Sequence, residues 1–133
     1  MTRYLLDTNI CIYLIKKKPE TVLERLLKCS LEQIFISSIT YSELEYGVAK
    51  SANPEKNAAA LQEFLIPFQV LPWGSKSAQF YGHIRAYLEK KGTPIGVHDE
   101  MIGAHALSLE MTLVSNNIKH FKKIPEISLE NWV

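Results

Sequence analysis

Short apolar runs alternate along this chain with longer segments of helical periodicity. Four runs stand out, at residues 4–6, 34–36, 70–71 and 113–114. They are apolar throughout, which indicates strands that are buried on both faces. The intervals between them are long enough to supply the crossover connections that parallel strands require. We therefore expect a three-layer α/β/α sandwich around a mainly parallel sheet.

Apolar residues at helical spacing fill the intervals between these runs. The pattern predicts helices over 10–17, 19–27, 40–50, 54–65, 76–91 and 98–110, and a short helix ending at Phe121. Residues 127–129 are a candidate edge strand, and Trp132 is expected to pack the carboxyl end onto the core. No repeat, low-complexity stretch or linker divides the chain, so we expect one domain over 1–133.

The length and the cysteine content of the chain indicate a protein that folds without disulfide bonds. A chain of 133 residues, 47% of them hydrophobic, can bury a core without disulfides or a structural metal. Cys11 and Cys29 lie in segments with helical, apolar patterns and are expected to be buried thiols in a reducing compartment. The apolar run 10–15 is too short to span a bilayer, and no signal-peptide cleavage site follows it. We expect a cytoplasmic protein without a membrane partner.

The acidic residues are unevenly divided between the two types. The net charge of +1 excludes a strongly basic nucleic-acid coat and an acidic disordered tail. Of the 14 acids, 12 are Glu and only Asp7 and Asp99 are Asp. At ordinary usage of about one residue in twenty, a chain of this length would carry about seven Asp. Helix capping is the alternative explanation for each Asp, but a chain that used Asp for routine caps would contain more of them.

Polar residues follow the predicted strands at their carboxyl ends, where parallel sheets bind ligands. Asp7 follows the first strand, Ser37 and Ser38 the second, and Asn116 and Asn117 the strand at 113–114. Asp99 lies in the first turn of the helix predicted after the glycine-containing loop 92–96. These side chains are expected to converge on one edge of the sheet.

A site for Mg²⁺ or Mn²⁺ at this edge would need further oxygen ligands. Glu43 and Glu45 are the candidates for a third carboxylate, and they flank the apolar stripe of their helix on opposite sides. Gly47 leaves space beside Glu43, but periodicity alone does not decide between the two. Asn116 or Asn117 would supply a neutral oxygen, the alternative being a turn with a helix cap.

The order and spacing of these residues resemble the PIN-domain nucleases, and in particular the VapC-type toxins of bacterial VapBC toxin–antitoxin modules. The similarity extends from Tyr4 to Trp132. It is carried by four motifs in order: residues 5–9 (LLDTN); 36–40 (ISSIT) with Glu43 and Leu44; 92–99 (GTPIGVHD) with 102–106 (IGAHA); and 114–117 (VSNN) with Phe121.

The resemblance implies a metal-dependent endoribonuclease. Asp7, Glu43 and Asp99 match the acidic positions that bind Mg²⁺, for which Mn²⁺ can substitute, and Asn117 completes the catalytic set. Since that position is often Asp in the wider family, Asn117 removes one negative charge and weakens the case for a second metal. The residues expected to support the ligands and the attacking water are Thr8, Asn9, Ser38, Ser115 and Asn116.

The resemblance also implies partners. These are a cognate VapB-type antitoxin with a segment lying across the active-site groove, a homodimer within a larger toxin–antitoxin assembly, and transfer RNA as substrate. The loop 92–96 and the Asn116–Asn117 pair are similar to the group that cleaves the anticodon loop of initiator tRNA. The residues expected to contact RNA, for which a solvated surface is the alternative, are Lys16, Lys17, Lys90, Lys91, His98 and Lys119.

Other functions compete with this interpretation. A PIN-like module could bind RNA or a partner without catalysis, although the intact acidic set argues against lost chemistry. A metal-dependent phosphatase or DNA nuclease could use the same carboxylates. Zinc is not expected, because His98 and His105 lack a neighbouring cysteine or a third ligand at helical spacing.

Overall fold

All five strands of the sheet run parallel, in the order β3-β2-β1-β4-β5. The computed structural model describes residues 1–133. β1 is central, and Leu6 lies beside Ile36 of β2 and Val114 of β4. The predicted parallel sheet is therefore confirmed. The strands are β1 (Tyr4–Leu6), β2 (Ile34–Ser37), β3 (Gln69–Leu71), β4 (Thr112–Val114) and β5 (Leu129–Glu130).

Helices cover both faces of the sheet, as a strand buried on both sides requires. Tyr4 and Leu6 point into a core shared with α1 to α4, whereas Leu5 points into a core on the opposite face, shared with α5 to α7. None of these helices combines the length and apolar character that crossing a bilayer requires. The helices are α1 (Thr8–Lys16), α2 (Glu20–Leu27), α3 (Ser38–Ala49), α4 (Pro54–Leu65), α5 (Ser75–Lys91), α6 (Val97–Ser108) and α7 (Ile118–Phe121).

Two helices begin directly at the carboxyl edge of the sheet, each capped by the residue that precedes it. Asp7 caps α1 by accepting the Thr8 N–H, and Ser37 caps α3 by accepting the Ile39 N–H at 3.1 Å. Because Ser37 is the cap, α3 begins at Ser38, earlier than the predicted residue 40. The caps place both helix N-termini, with their unsatisfied N–H groups, beside the strand ends.

The last strand and one cysteine differ from expectation. β5 is Leu129–Glu130 instead of 127–129, because Leu129 pairs with Leu113 of β4 while Ile127 packs into the core on the α6 side. Cys11 is buried as predicted, but Cys29 follows α2 and is only half-buried. Trp132 is buried and packs edge-on against Tyr4 at 5.4 Å between ring centroids, so its predicted packing is confirmed.

Candidate active site

The Asp7 carboxylate lies almost completely buried at the end of β1, with 5% of the residue exposed. Its Oδ1 accepts the Thr8 N–H at 2.8 Å, and its Oδ2 accepts the Ser115 hydroxyl at 2.7 Å. Burial raises the pKa of Asp7 to about 6; these hydrogen bonds oppose the rise, and the nearby charges of Asp99 and Glu43 add to it. Asp7 also caps α1. A carboxylate that served only as a helix cap could stay in contact with solvent and would avoid the desolvation that raises the pKa of Asp7.

Glu43 reaches the same recess from α3. Its Oε2 accepts the Thr8 hydroxyl at 2.8 Å, whereas its buried Oε1 has no hydrogen-bond partner. The His98 ring nitrogen Nδ1 lies 3.4 Å from Oε1, an ion pair only when the imidazole is protonated. Glu45, the other candidate on this helix, is exposed. Helical periodicity did not decide between Glu43 and Glu45. The contact with Thr8 of α1 distinguishes Glu43 from Glu45.

Asp99 lies in the first turn of α6 and meets two side chains that follow β4. Its Oδ2 accepts the side-chain N–H of Asn117 at 3.1 Å, and His120 Nδ1 lies at the same distance. The Asn117 backbone N–H donates to the Ser115 hydroxyl oxygen at 2.9 Å. Since Ser115 also binds Asp7, one chain of hydrogen bonds runs from Asp7 to Asp99.

His120 was not among the predicted site residues. The signal was present, because Asn117 and His120 are three residues apart and a helical turn brings such residues to one face. Asn117 Nδ2 lies 2.9 Å from His120 Nδ1, and both contact Asp99.

Three of the predicted supporting residues lie farther from the carboxylates. The Asn9 side-chain oxygen accepts the Asn116 N–H at 3.4 Å, and the Asn116 amide donates to the Tyr13 hydroxyl at 3.2 Å. Ser38 accepts the Trp73 N–H at 3.0 Å. Asn117, and not Asn116, is thus the asparagine in contact with an acidic residue, and Asn9 supports the Asn116 backbone instead of Asp7.

The residues predicted to contact RNA are all exposed: Lys16, Lys17, Lys90, Lys91, His98 and Lys119. Lys16 and Glu43 line the same groove, a cavity of about 430 Å³ between α1, α3 and α4. Lys90 and Lys91 end α5 just before the loop that leads to Asp99. Exposure leaves these side chains free to meet a phosphate, and their role stays a prediction.

The donor chemistry of the recess fits a hard divalent cation. Asp7, Glu43 and Asp99 offer carboxylate oxygens, the ligands that Mg²⁺ and Mn²⁺ prefer. The buried Oε1 of Glu43 has no hydrogen-bond partner, and burial together with the like charges of Asp99 and Glu43 raises the pKa of Asp7. As arranged in this structure, no group of three or more His, Cys, Asp or Glu side chains could hold a metal ion together. The recess therefore holds separate carboxylates with the charge and polarity that a bound cation would balance.

Comparison with known proteins identifies the family of this chain. A family model for the PIN domain matches residues 4–127. The chain belongs to the PIN-domain family. Within that family it is 44% identical over 132 residues, 99% of each chain, to the tRNA(fMet)-specific endonuclease VapC of Salmonella typhimurium. It is 45% identical over 130 residues, 97% of each chain, to ribonuclease VapC2 of Rickettsia felis.

Two solved VapBC structures are similar to this chain along its length. VapBC2 from Rickettsia felis, bound to a DNA fragment from its promoter, superposes with a TM-score of 0.93 at 42% identity, covering 99% of this chain and 100% of that one. DNA-bound VapBC from Salmonella typhimurium gives 0.93 at 44% identity over the full length of both chains. The predicted resemblance to VapC-type PIN domains is confirmed, and so is the α/β/α fold.

Proposed function

We propose that this PIN domain is a metal-dependent endoribonuclease and the toxin of a VapBC-type module. The observation that carries the proposal is the convergence of Asp7, Glu43 and Asp99 on one recess, with Asp7 almost completely buried. The full-length similarity to proteins named as VapC ribonucleases supports it. Three acids facing one another are costly to a fold unless a cation or a substrate uses them.

In this proposal each carboxylate has a separate task. Asp7 and Asp99 hold Mg²⁺, or Mn²⁺ in its place. Such an ion, when bound, polarises a phosphoryl oxygen and lowers the pKa of a water molecule. Glu43 orients or deprotonates the attacking water through Oε1, since Thr8 occupies Oε2. Ser115 and Asn117 keep Asp7 and Asp99 in place. In-line attack would leave 5′-phosphate and 3′-hydroxyl ends.

Transfer RNA is the proposed substrate, and the anticodon loop of the initiator the proposed target. The name of the Salmonella typhimurium relative supports this choice. The exposed lysines near the recess would contact phosphates without reading sequence.

A VapB-type antitoxin is the proposed partner, because solved relatives are VapBC complexes. The groove that contains Glu43 is lined by apolar side chains such as Ile12, Ile15 and Leu44, which suits an antitoxin segment lying across the site. We extend the proposal to a homodimer within a larger toxin–antitoxin assembly, and to the cytoplasm as its location.

Cleavage of tRNA by purified protein freed of antitoxin tests the proposal. We expect cleavage with Mg²⁺ or Mn²⁺, its loss with a chelator, and its return when metal is restored. Initiator tRNA should be cut in preference to an elongator tRNA. Asp99→Asn should lower the rate by about 1,000-fold or more while the protein stays folded, because a ligand is lost and a repulsive charge is removed.

Three results would contradict parts of this proposal. Cleavage that survives the chelator would exclude a metal-dependent reaction. Activity retained in Asp99→Asn would exclude that residue as a ligand. RNA binding without cleavage under every metal condition would favour the non-catalytic binding module, and hydrolysis of DNA or small phosphomonoesters alone would favour a different substrate.

A further inference from the structure

His105 is a buried polar residue with no task in the proposed reaction. It lies on α6 with 1% of its surface exposed, and its Nδ1 is 2.8 Å from the hydroxyl oxygen of Ser37, which is 0% exposed. Burial lowers the pKa of His105 and thus favours the neutral imidazole. A buried polar pair of this kind is costly unless each group is satisfied, so the pair constrains where its two elements can lie.

Ser37 belongs to the junction between β2 and α3. Its hydroxyl oxygen accepts the Ile39 N–H, so the same side chain caps α3 and contacts α6. Glu43 lies on the second turn of α3, and Asp99 on the first turn of α6. The contact between Ser37 and His105 therefore joins the two helices that bear two of the three carboxylates.

A second contact joins the same two helices. The Trp73 backbone N–H donates to the hydroxyl oxygen of Ser38, and its indole N–H donates to the carbonyl oxygen of Met101 at 2.8 Å. Ser38 begins α3, and Met101 lies two residues beyond Asp99 on α6. Two adjacent residues at the start of α3 are thus connected to α6. Ser37 contacts His105 of α6 directly, and Ser38 is linked to Met101 of α6 through Trp73.

We infer that His105 is a positioning residue that, through Ser37, sets the distance between Glu43 and Asp99. The inference rests on the proposed function, because the distance matters only if both carboxylates act on one cation and one water. A misplacement of about 1 Å at a reacting group can cost about 100-fold in rate. Hydrogen-bond partners of metal ligands can change metal affinity by about 10- to 100-fold, and His105 would act one step farther out, through the positions of α3 and α6.

Three variants separate positioning from stability. His105→Leu removes the contact with Ser37. His105→Asn keeps a polar atom close to the position of Nδ1 and is the conservative rescue. Ser77→Ala is the matched control, because Ser77 is equally buried and bonds to α6 through Ser108 at 3.0 Å, but from α5 instead of α3. For each we would measure kcat and KM for tRNA cleavage, the Mn²⁺ dissociation constant by calorimetry, and the folded fraction by circular dichroism.

We expect His105→Leu to lower kcat by about 10- to 100-fold per folded molecule, with KM changed less than about threefold. Its Mn²⁺ dissociation constant should rise by about tenfold. His105→Asn should stay within about threefold of the wild type in all three constants. Ser77→Ala should lower the melting temperature without changing them, since it loses only a bond between α5 and α6.

Unchanged kcat and Mn²⁺ affinity in folded His105→Leu would overturn the inference. So would equal losses in the Leu and Asn variants, or an equal loss in Ser77→Ala, because either would indicate a general loss of packing. If His105→Leu does not fold, His105→Gln replaces it: its amide reaches past the Nδ1 position, and the same losses are expected. A wild type that binds Mn²⁺ but cleaves no RNA would refute the proposed function, and Mn²⁺ affinity across the variants would still decide the inference.

Discussion

The two edges of the sheet differ in how far their acidic side chains are exposed. The cavity at the amino edge is the larger, about 670 Å³ against about 430 Å³ for the groove beside Glu43, and it is also lined by acids, Glu110 and Glu126. Those two acids are exposed, whereas Asp7 at the carboxyl edge is almost completely buried. Cavity size therefore does not mark the candidate site. The buried Asp7 carboxylate, with the half-buried carboxylates of Glu43 and Asp99 nearby, marks it.

Helix direction explains why the edges differ. α1 and α3 begin at the carboxyl edge, where free N–H groups and the positive end of the helix dipole stabilise anions, as the Thr8 N–H does for Asp7. α6 ends at the amino edge, and there the cation Arg3 donates to the free carbonyl oxygen of Leu109 at 2.6 Å. The helix N-termini therefore favour anions at the carboxyl edge, and the helix C-terminus favours a cation at the amino edge.

Charge removal at the two edges should have very different effects on activity. Glu43→Gln is expected to lower kcat for tRNA cleavage by about 100-fold, because the neutral amide can neither accept a proton from water nor balance a cation. Glu45→Gln, on the same helix but exposed, and Glu110→Gln, at the amino edge, should change kcat by less than about twofold. Steady-state cleavage by folded protein measures all three.

An equal loss in Glu43→Gln and Glu45→Gln would mean that the charge of α3 matters and its position does not. A loss in Glu110→Gln would place functional chemistry at the amino edge and remove the distinction between the two.

The positions of the two aspartates could be predicted from the sequence, because each depends only on the residues that flank it. Asp7 follows an apolar strand directly, and Asp99 follows a glycine-containing loop; both positions are visible along the chain. The contact that distinguishes Glu43 from Glu45 is not local, because the Thr8 hydroxyl that binds Glu43 lies 35 residues away. Ser37 and His105 are 68 residues apart. Such pairs depend on how helices pack, which periodicity does not specify.

Strand register was the other limit. Residues 127–129 have the apolar character of a strand, yet the hydrogen bonds to β4 pair Leu129 and Glu130 and leave Ile127 to the core. The sequence shows the spacing between Asn117 and His120, but it does not show that His120 contacts Asp99, which lies 21 residues away. His120 could therefore not be recognised as a site residue from the sequence.

The stability of the metal-free protein should depend on pH through Asp7. Folding raises the pKa of Asp7 from 3.8 to about 6, so the folded state binds the proton more tightly than the unfolded state does. Ionisation of Asp7 therefore costs the metal-free protein nothing below about pH 4, progressively more up to about pH 6, and its full cost above that. Asp7→Asn removes this cost but also weakens the bond from Ser115, so we expect a net gain of about 1–2 kcal/mol at pH 8.

Urea unfolding with a chelator at pH 4.5 and pH 8 would measure that difference. The gain should be close to zero at the lower pH, and Mg²⁺ at pH 8 should stabilise the wild type but not the variant. Glu126→Gln, an exposed acid at the amino edge, should show no gain at either pH. A gain for Asp7→Asn that is the same at both pH values would contradict the burial of an ionised Asp7.

The smallest expected effect concerns two exposed lysines. It tests whether RNA binding, too, differs between the carboxyl and amino edges of the sheet. Lys119 follows the Asn116–Asn117 pair on α7, whereas Lys28 follows α2 and precedes the start of β2 at the amino edge; both are exposed. Lys119→Gln should raise KM by about two- to threefold and reduce the slope of log KM against log salt by about 0.7–1, the change for one phosphate contact. Lys28→Gln should leave both unchanged. If both lysines change the slope equally, RNA is attracted by net charge alone, because only a lysine beside the carboxylates would hold a phosphate during cleavage.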